Sequence, residues 1–429
     1  MYPGAWLLPD ANPNSFFDIE HFISIARTAE RGLFDAFFLA DAPALGSEIS
    51  FRPPFSGGLD PALLLARVAA STSRIGLIAT ASTTFNAPFD IARRFASLDF
   101  ISGGRAGWNA VTTASPEVAP NYGAEPHPAK PDRYERAGEF IGVVRGLWDS
   151  WDDDAIVADR ENREYVREGG IRRLDHTGRH FAVRGPLPLP RPPQGHPVVF
   201  QAGGSEGGRD LAARQADGIF SLALEKEAGR EYAADIRRRA VAYGRDPASI
   251  TILPGLVTII GGTETEALAK QADLNERAGG GPSIARLAGY LEIDPRELSL
   301  DEPVPVHLLP GEPDAVKGVY GFQSAIARIA RRGLTVRDIL SQGGGGHRLL
   351  VGTPEQVAGN VAEWFLEGAA DGFNLMPAAL PSGLEDFVDH VVPLLQRRGV
   401  FRTEYSGTTL RDHLGLVRRP QRALAEVGG

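Results

Sequence analysis

Four short stretches hold the side chains that could do chemistry. In Ile101–Thr113 a glycine pair, Gly103-Gly104, precedes a short apolar run that gives way to Asn109, Thr112 and Thr113. Glycine accepts the positive φ of a tight reversal, so the pattern predicts a turn feeding a buried strand that delivers three polar side chains at its C-terminal end. In the second stretch the apolar run Val198–Ala202 enters Gly203-Gly204-Ser205-Glu206-Gly207-Gly208 and then a helical segment, Arg209–Ala216. A strand, a glycine turn and a helix N-terminus in that order present bare N–H groups and a positive helix end, which suits an anion. The other two are Phe34–Asp41, an apolar strand ending in a carboxylate, and Arg74–Thr84, a strand closing in Thr80, Ala81, Ser82, Thr83 and Thr84. Singly, none distinguishes a site from an ordinary core strand.

The segments between them decide how they are positioned. Residues 18–33 place Ile19, Phe22, Ile23, Ala26, Ala29 and Leu33 three or four apart, an amphipathic helix with Gly32 at its end. Pro61–Ala70, Phe89–Phe100 and Tyr134–Ser150 are also helical. Helix and buried strand in alternation mark a parallel sheet, whose ligands bind at the C-terminal ends of the strands. Strands are expected to begin near residues 34, 74, 105, 198, 218, 252 and 372. A closed (β/α)8 barrel needs eight. The missing one would precede the first helix, where residues 1–17 hold no apolar run, so the reading places an apolar strand upstream of Met1. Residues 114–133 and 151–183 read as irregular, and 184–197 as a proline-rich rigid connector.

With 429 residues, 43% of them hydrophobic and 23% charged, the chain is globular. It has no cysteine, which removes disulfides, thiolate metal sites and a cysteine nucleophile together. A net charge of −9 disfavours a nucleic-acid surface, so a phosphate must be held by local geometry. Neither a secretory leader nor an apolar span is visible, which points to the cytoplasm and away from a membrane. The acidic run Asp152–Asp154 lacks further ligands at metal spacing and is read as a solvated turn; the histidines, His347 among them, are scattered without such spacing. Residues 275–350, rich in glycine and containing Gly343–Gly346, form an insertion within one domain spanning 1–429, and its length suggests a mobile lid.

Eight blocks in order carry a resemblance. They are Phe34–Asp41, Thr80–Thr84, Ala92–Asp99 (Ala-Arg-Arg-Phe-Ala-Ser-Leu-Asp), Ser102–Asn109, Arg133–Phe140 (Arg-Tyr-Glu-Arg-Ala-Gly-Glu-Phe), Leu147–Trp151, Gln201–Arg209 and Val351–Ala358 (Val-Gly-Thr-Pro-Glu-Gln-Val-Ala). Together they resemble the two-component flavin monooxygenases of the bacterial luciferase-like superfamily, in the branch of nitrilotriacetate, dibenzothiophene-sulfone and long-chain alkane monooxygenases. The resemblance implies an α/β fold, a TIM barrel. It implies oxygenation of a small organic substrate with O2 and with reduced FMN from a separate NAD(P)H:flavin reductase, by a homo-oligomer of two or four chains. Residue by residue it implies that Asp41, Thr80, Asn109, Tyr134 and Ser205 contact FMN, with Gly204 and Ser205 at the phosphate and Ser82 beside the ribityl chain or the polar ring edge. Lys130 stands where relatives usually carry histidine, near the phosphate or the entrance. Two other functions fit the same barrel: hydride transfer with a deazaflavin, and flavin binding without oxygenation. No Gly-x-Gly-x-x-Gly follows a strand, which removes a nicotinamide dinucleotide as a resident cofactor.

Overall fold

The structure, a computed structural model, describes residues 2, 4–45, 58–278, 284–309, 320–342 and 346–421. Part of the insertion, including 343–345 of its glycine run, lies outside the described residues. All seven expected strands are present: β1 (Ala36–Leu39), β2 (Gly76–Ser82), β3 (Ala106–Val111), β8 (Val198–Gln201), β9 (Gly218–Ser221), β10 (Thr251–Ile260) and β12 (Asn374–Pro377). They run parallel, in the order β1-β2-β3-β8-β9-β10, with β12 also paired to β10.

An eighth strand, β11 (Arg348–Gly352), lies beyond the seven that the sequence pattern marks. It pairs parallel with the second half of β10, Leu256 opposite Arg348 through Ile260 opposite Gly352, so the end of the insertion joins the sheet. Among the described residues nothing before the first helix is a strand; Ala5–Leu7 form one 3-10 turn. No hydrogen bonds join β1 to β12, and both line one apolar cavity of about 730 Å3 at the strand-entry end.

Helices clothe the outside: α1 (Ile19–Arg31), α2 (Pro61–Ala69), α3 (Pro88–Ser102), α4 (Lys130–Trp148) and α5 (Glu206–Gln215). Asp18 caps α1 by accepting from Glu20 N at 3.0 Å. Gly32 closes it with an ordinary negative φ, and the left-handed residue is its neighbour Leu33, at φ 59°. α3 ends as the glycines demand, with φ of 67° at Gly103 and 89° at Gly104. Strand periodicity then sorts the side chains. Leu77, Ala79, Ala81, Trp108 and Ala110 face the helices in the outer core, while Ile78 and Phe200 belong to the inner one. Thr80 and Ser82 share the inner face with Ile78, and Asn109, opposite Thr80 on one side and Phe200 on the other, joins them.

Two other segments differ from the sequence reading. The stretch 151–183 contains two antiparallel ribbons, β4 (Ile156–Asp159) with β5 (Glu164–Val166) and β6 (His176–Thr177) with β7 (Ala182–Val183). Asp152–Asp154 is the expected solvated turn, with Asp153 and Asp154 exposed, and it is also a hub of ion pairs: Asp152 meets Arg167 and Arg172, and Asp153 meets Arg191 and Arg418. These arginines hold the Asp152 and Asp153 carboxyls down at about 2. Within the insertion, α6 (Ile284–Leu291), α7 (Tyr320–Ala330) and α8 (Val336–Gln342) gather Leu287, Leu291, Ile326, Ile329, Val336 and Ile339 into a separate small core.

Candidate active site at the strand ends

The inner faces of β2 and β3 meet in one short chain of hydrogen bonds. Thr80 Oγ1 donates to the Leu39 carbonyl at 2.8 Å, so its oxygen is left to accept, and Asn109 Nδ2 donates to it at 2.9 Å. That order fixes the amide, whose other end, Oδ1, is buried and accepts from no group among the described residues. Asn109 is 4% exposed. A buried carbonyl oxygen without a donor costs about 1–3 kcal/mol, so its place here calls for a ligand N–H or O–H. Gln201, the last residue of β8 and 2% exposed, has a second such acceptor in Oε1. Sequence reasoning missed it, although its place at a strand end before the glycine turn was the signal.

The glycine turn is built for close approach. A Cβ at Gly203 would come within 2.9 Å of Gly208 Cα, and one at Gly208 within 3.0 Å of the Gly203 backbone, so only glycine fits at both. Ser205 caps α5, its Oγ accepting from Gly208 N at 3.3 Å while donating to the Tyr134 hydroxyl at 3.1 Å. Both carbonyls of the turn are tied: Tyr232 OH donates to Gly203 O at 3.3 Å and Arg209 Nε to Gly204 O at 3.1 Å. With these carbonyls engaged and Gly208 N taken by the Ser205 cap, the N–H groups ahead of it at the start of α5 are the polarity that remains, which fits a phosphate. Thr80 with Asn109, Tyr134 with Ser205, and Thr113 with Ser82 are pairs of sequence-chosen residues that the fold brings into contact.

The other chosen residues sit around them in different ways. Ser82 Oγ is occupied within the protein, accepting from Thr84 N at 3.1 Å, Phe85 N at 3.3 Å and Thr113 Oγ1 at 2.6 Å, and so shapes the loop after β2. Asp41 is exposed just past β1, and partial burial of its carboxyl with Asp60 nearby raises its pKa from the ordinary aspartate value. Lys130 is the first residue of α4, one turn before Tyr134, where burial and Arg133 lower its ammonium below the usual lysine value. His127, dismissed in the sequence with the other histidines, belongs to this rim. Its Nε2 lies 3.0 Å from the Thr113 carbonyl, and Arg133 Nη1 lies 2.8 Å from its Nδ1 and 3.0 Å from its Nε2. Phe85 stacks on Tyr122 at 5.1 Å beside it. Below, Phe38 packs edge-on against Phe200 and Phe220, and His347 stacks on Phe220 at 5.0 Å, lining the barrel with aromatic surface. Among the described residues no group of three or more acidic or histidine side chains is placed to hold a metal. No helix among them is long and apolar enough to cross a membrane.

Comparison with known proteins agrees with this geometry. Residues 3–371 match the family model described as luciferase-like monooxygenase. The chain is 44% identical over 440 residues to nitrilotriacetate monooxygenase component A of Aminobacter aminovorans, covering 99% of this chain and 96% of that one. It is also 44% identical over 415 residues to N-acetyl-S-(2-succino)cysteine monooxygenase of Bacillus subtilis (strain 168), covering 96% and 93%. Among solved structures, the EDTA monooxygenase of Chelativorans sp. BNC1 superposes with a TM-score of 0.82 at 39% identity, over 98% of this chain and 97% of that one. A barrel of parallel strands with a paired amide and an anion cradle at its exit, and this kinship along nearly its whole length, make the chain an enzyme of the luciferase-like monooxygenase family.

Proposed function

We propose that the chain is the oxygenase of a two-component system. It takes reduced FMN from a separate NAD(P)H:flavin reductase and, with O2, oxygenates a small organic substrate. The observation that carries the reading is Asn109 Oδ1, a buried acceptor aimed by Thr80 and left for a ligand donor. Reduced FMN, when bound, supplies the two electrons that activate O2. In this reading Asn109 accepts from the polar edge of the flavin or its ribityl hydroxyls. Ser205, Gly204 and the first N–H groups of α5 hold the phosphate, and Tyr134 fixes the Ser205 hydroxyl. Asp41, Lys130 and His127 border the entrance, and Ser82 sets the loop that carries Phe85. The aromatic wall of Phe38, Phe200 and Phe220 keeps water from the reacting ring.

The relatives named for nitrilotriacetate, EDTA and N-acetyl-S-(2-succino)cysteine act on small polycarboxylates, and this chain carries the cation Lys130 at the first position of α4. Polycarboxylates therefore head the substrate panel. The insertion is the lid in this reading. It meets the barrel at Leu224 and through Arg328, which pairs with Glu231 at 2.7 Å and Glu225 at 3.7 Å. Bound flavin and substrate should raise hydrogen-exchange protection there; equal protection with and without them would remove the lid role. The functional test is a reductase-coupled assay across polycarboxylate, sulfur, amine and alkane substrates. Oxygenated product should form only when reductase is present. NADH oxidation by the purified chain alone, or no product from any class while FMN is bound, would overturn the reading.

A further inference from the structure

A groove of about 1020 Å3 runs along the outside of the barrel between α4 and α5. Its floor is a glycine stripe, Gly138, Gly142 and Gly146, and a Cβ at Gly142 would meet nothing within 4 Å. At its far end four arginines line it: Arg145 from α4, Arg214 from the last turn of α5, Arg245, and Arg419 from the C-terminal segment.

The carboxylates that share the groove are mostly engaged. Arg179 takes Glu135, His176 takes Glu139, Arg191 and His196 take Asp149, and Tyr243 takes Asp210. Behind the arginines stands one carboxylate, the buried Asp217, already shared by Arg411 at 3.1 Å and Arg419. Arg145 bonds to Gln215, and Arg245 to the Ala213 and Ala216 carbonyls, so the negative end of the α5 dipole is spoken for. Two donors remain: the Nε atoms of Arg145 and Arg419 are buried and meet no acceptor among the described residues. Arg214 has no ion pair there either. A guanidinium does not shed its proton, so the surplus charge needs a counter-anion.

We propose that this end of the groove is a binding site for a phosphate-class oxyanion. The donors come from α4, from α5 and from the C-terminal segment. A tetrahedral oxyanion offers acceptors in that many directions, whereas the two oxygens of a carboxylate lie in one plane. The site is separate from the Ser205 cradle, which lies at the opposite end of α5, about 15 Å away for ten residues at 1.5 Å each. It does not rest on the flavin reading.

Titration of the full-length chain with inorganic phosphate, against chloride at equal ionic strength, tests it. Calorimetry on the native chain and on Ser205→Ala, Arg419→Gln and Arg214→Gln separates the two ends of α5. The groove site predicts phosphate binding that survives Ser205→Ala, weakens about tenfold in Arg419→Gln through the loss of one charge-assisted contact, and weakens by a smaller factor in Arg214→Gln. Because Arg214 is exposed, its variant decides the matter if Arg419→Gln does not fold. Binding abolished by Ser205→Ala and untouched by either arginine variant would overturn the proposal, as would the absence of phosphate binding in all four proteins.

Discussion

Asp99 and Asn109 stand ten positions apart, on either side of the glycine pair that turns α3 into β3, and both are buried, yet the fold treats them oppositely. Asp99, at the strand-entry end, accepts from Gln194 N at 3.1 Å, Gln194 Nε2 at 2.6 Å and Ala106 N at 3.1 Å. Asn109, facing the strand-exit end, has a partner for its amide nitrogen and none for its oxygen. The first is a closed network that fastens the approach to β8 onto β3, so its value is stability. The second is an open one, carried at a cost to the ligand-free protein and recovered when a donor arrives. The same criterion with reversed sign separates the α4–α5 groove, where the unpaired groups are donors and the missing partner is an anion.

The largest effect should come from opening the closed network. Asp99→Ala strands three donors and should cost on the order of 3–5 kcal/mol in denaturant unfolding. A loss below about 1 kcal/mol would mean that water or a shifted Gln194 replaces the carboxylate. Asp99→Asn adds a pH dependence. Burial raises the Asp99 carboxyl to about 6, above its ordinary 3.8. Between those values the folded chain holds a proton that the unfolded chain has lost, so this group's contribution to stability falls as pH rises through the window. His196, lowered by burial to about 4, slopes the other way between about 4 and 6.5, so only the difference between native and variant isolates Asp99. The destabilisation caused by Asp99→Asn should therefore be smaller at neutral pH than near pH 4; a gap that widens toward neutrality would contradict the assignment.

Ser205→Ala probes a residue with a foot in both kinds of network. Loss of the cap should cost about 0.5–2 kcal/mol, and FMN binding should weaken as well, since the hydroxyl and the first turn of α5 act together. Unchanged FMN affinity beside the expected stability loss would reduce Ser205 to a cap. Smaller still is Lys130→His. A lysine pairs with phosphate as a point charge, and a neutral imidazole can still donate to it, so FMN affinity should be preserved or improved. A loss beyond about tenfold, roughly 1.4 kcal/mol, would give the lysine a role of its own.

Much of this difference was legible before the fold was known, though not all for the same reason. The strand starts were readable because a buried parallel strand is a short apolar run set off by helices, and the double glycine and the Ser205 turn carry their geometry in their residue types. Which residues face each other was not, because parallel register is set by packing between segments far apart in the chain; nothing local says that Thr80 and Asn109 are opposite. β11 escaped notice because Leu349-Leu350-Val351 is brief and closes a long insertion, although Thr353 and Gln356 just after it form a readable capping box. His127, Gln201 and the arginines of the groove escaped for a related reason: each has an ordinary identity and becomes informative only through what it fails to pair with.

Asn109→Leu, measured for stability and for FMN binding on the same preparations, tests the central claim most directly. Leucine is close in size and carries no polar atom. An open network predicts an unfolding free energy unchanged or raised by up to about 1 kcal/mol in the ligand-free protein, with FMN affinity reduced more than about tenfold. A variant that is markedly less stable and binds FMN as the native chain does would show that Asn109, like Asp99, is there only to hold the fold.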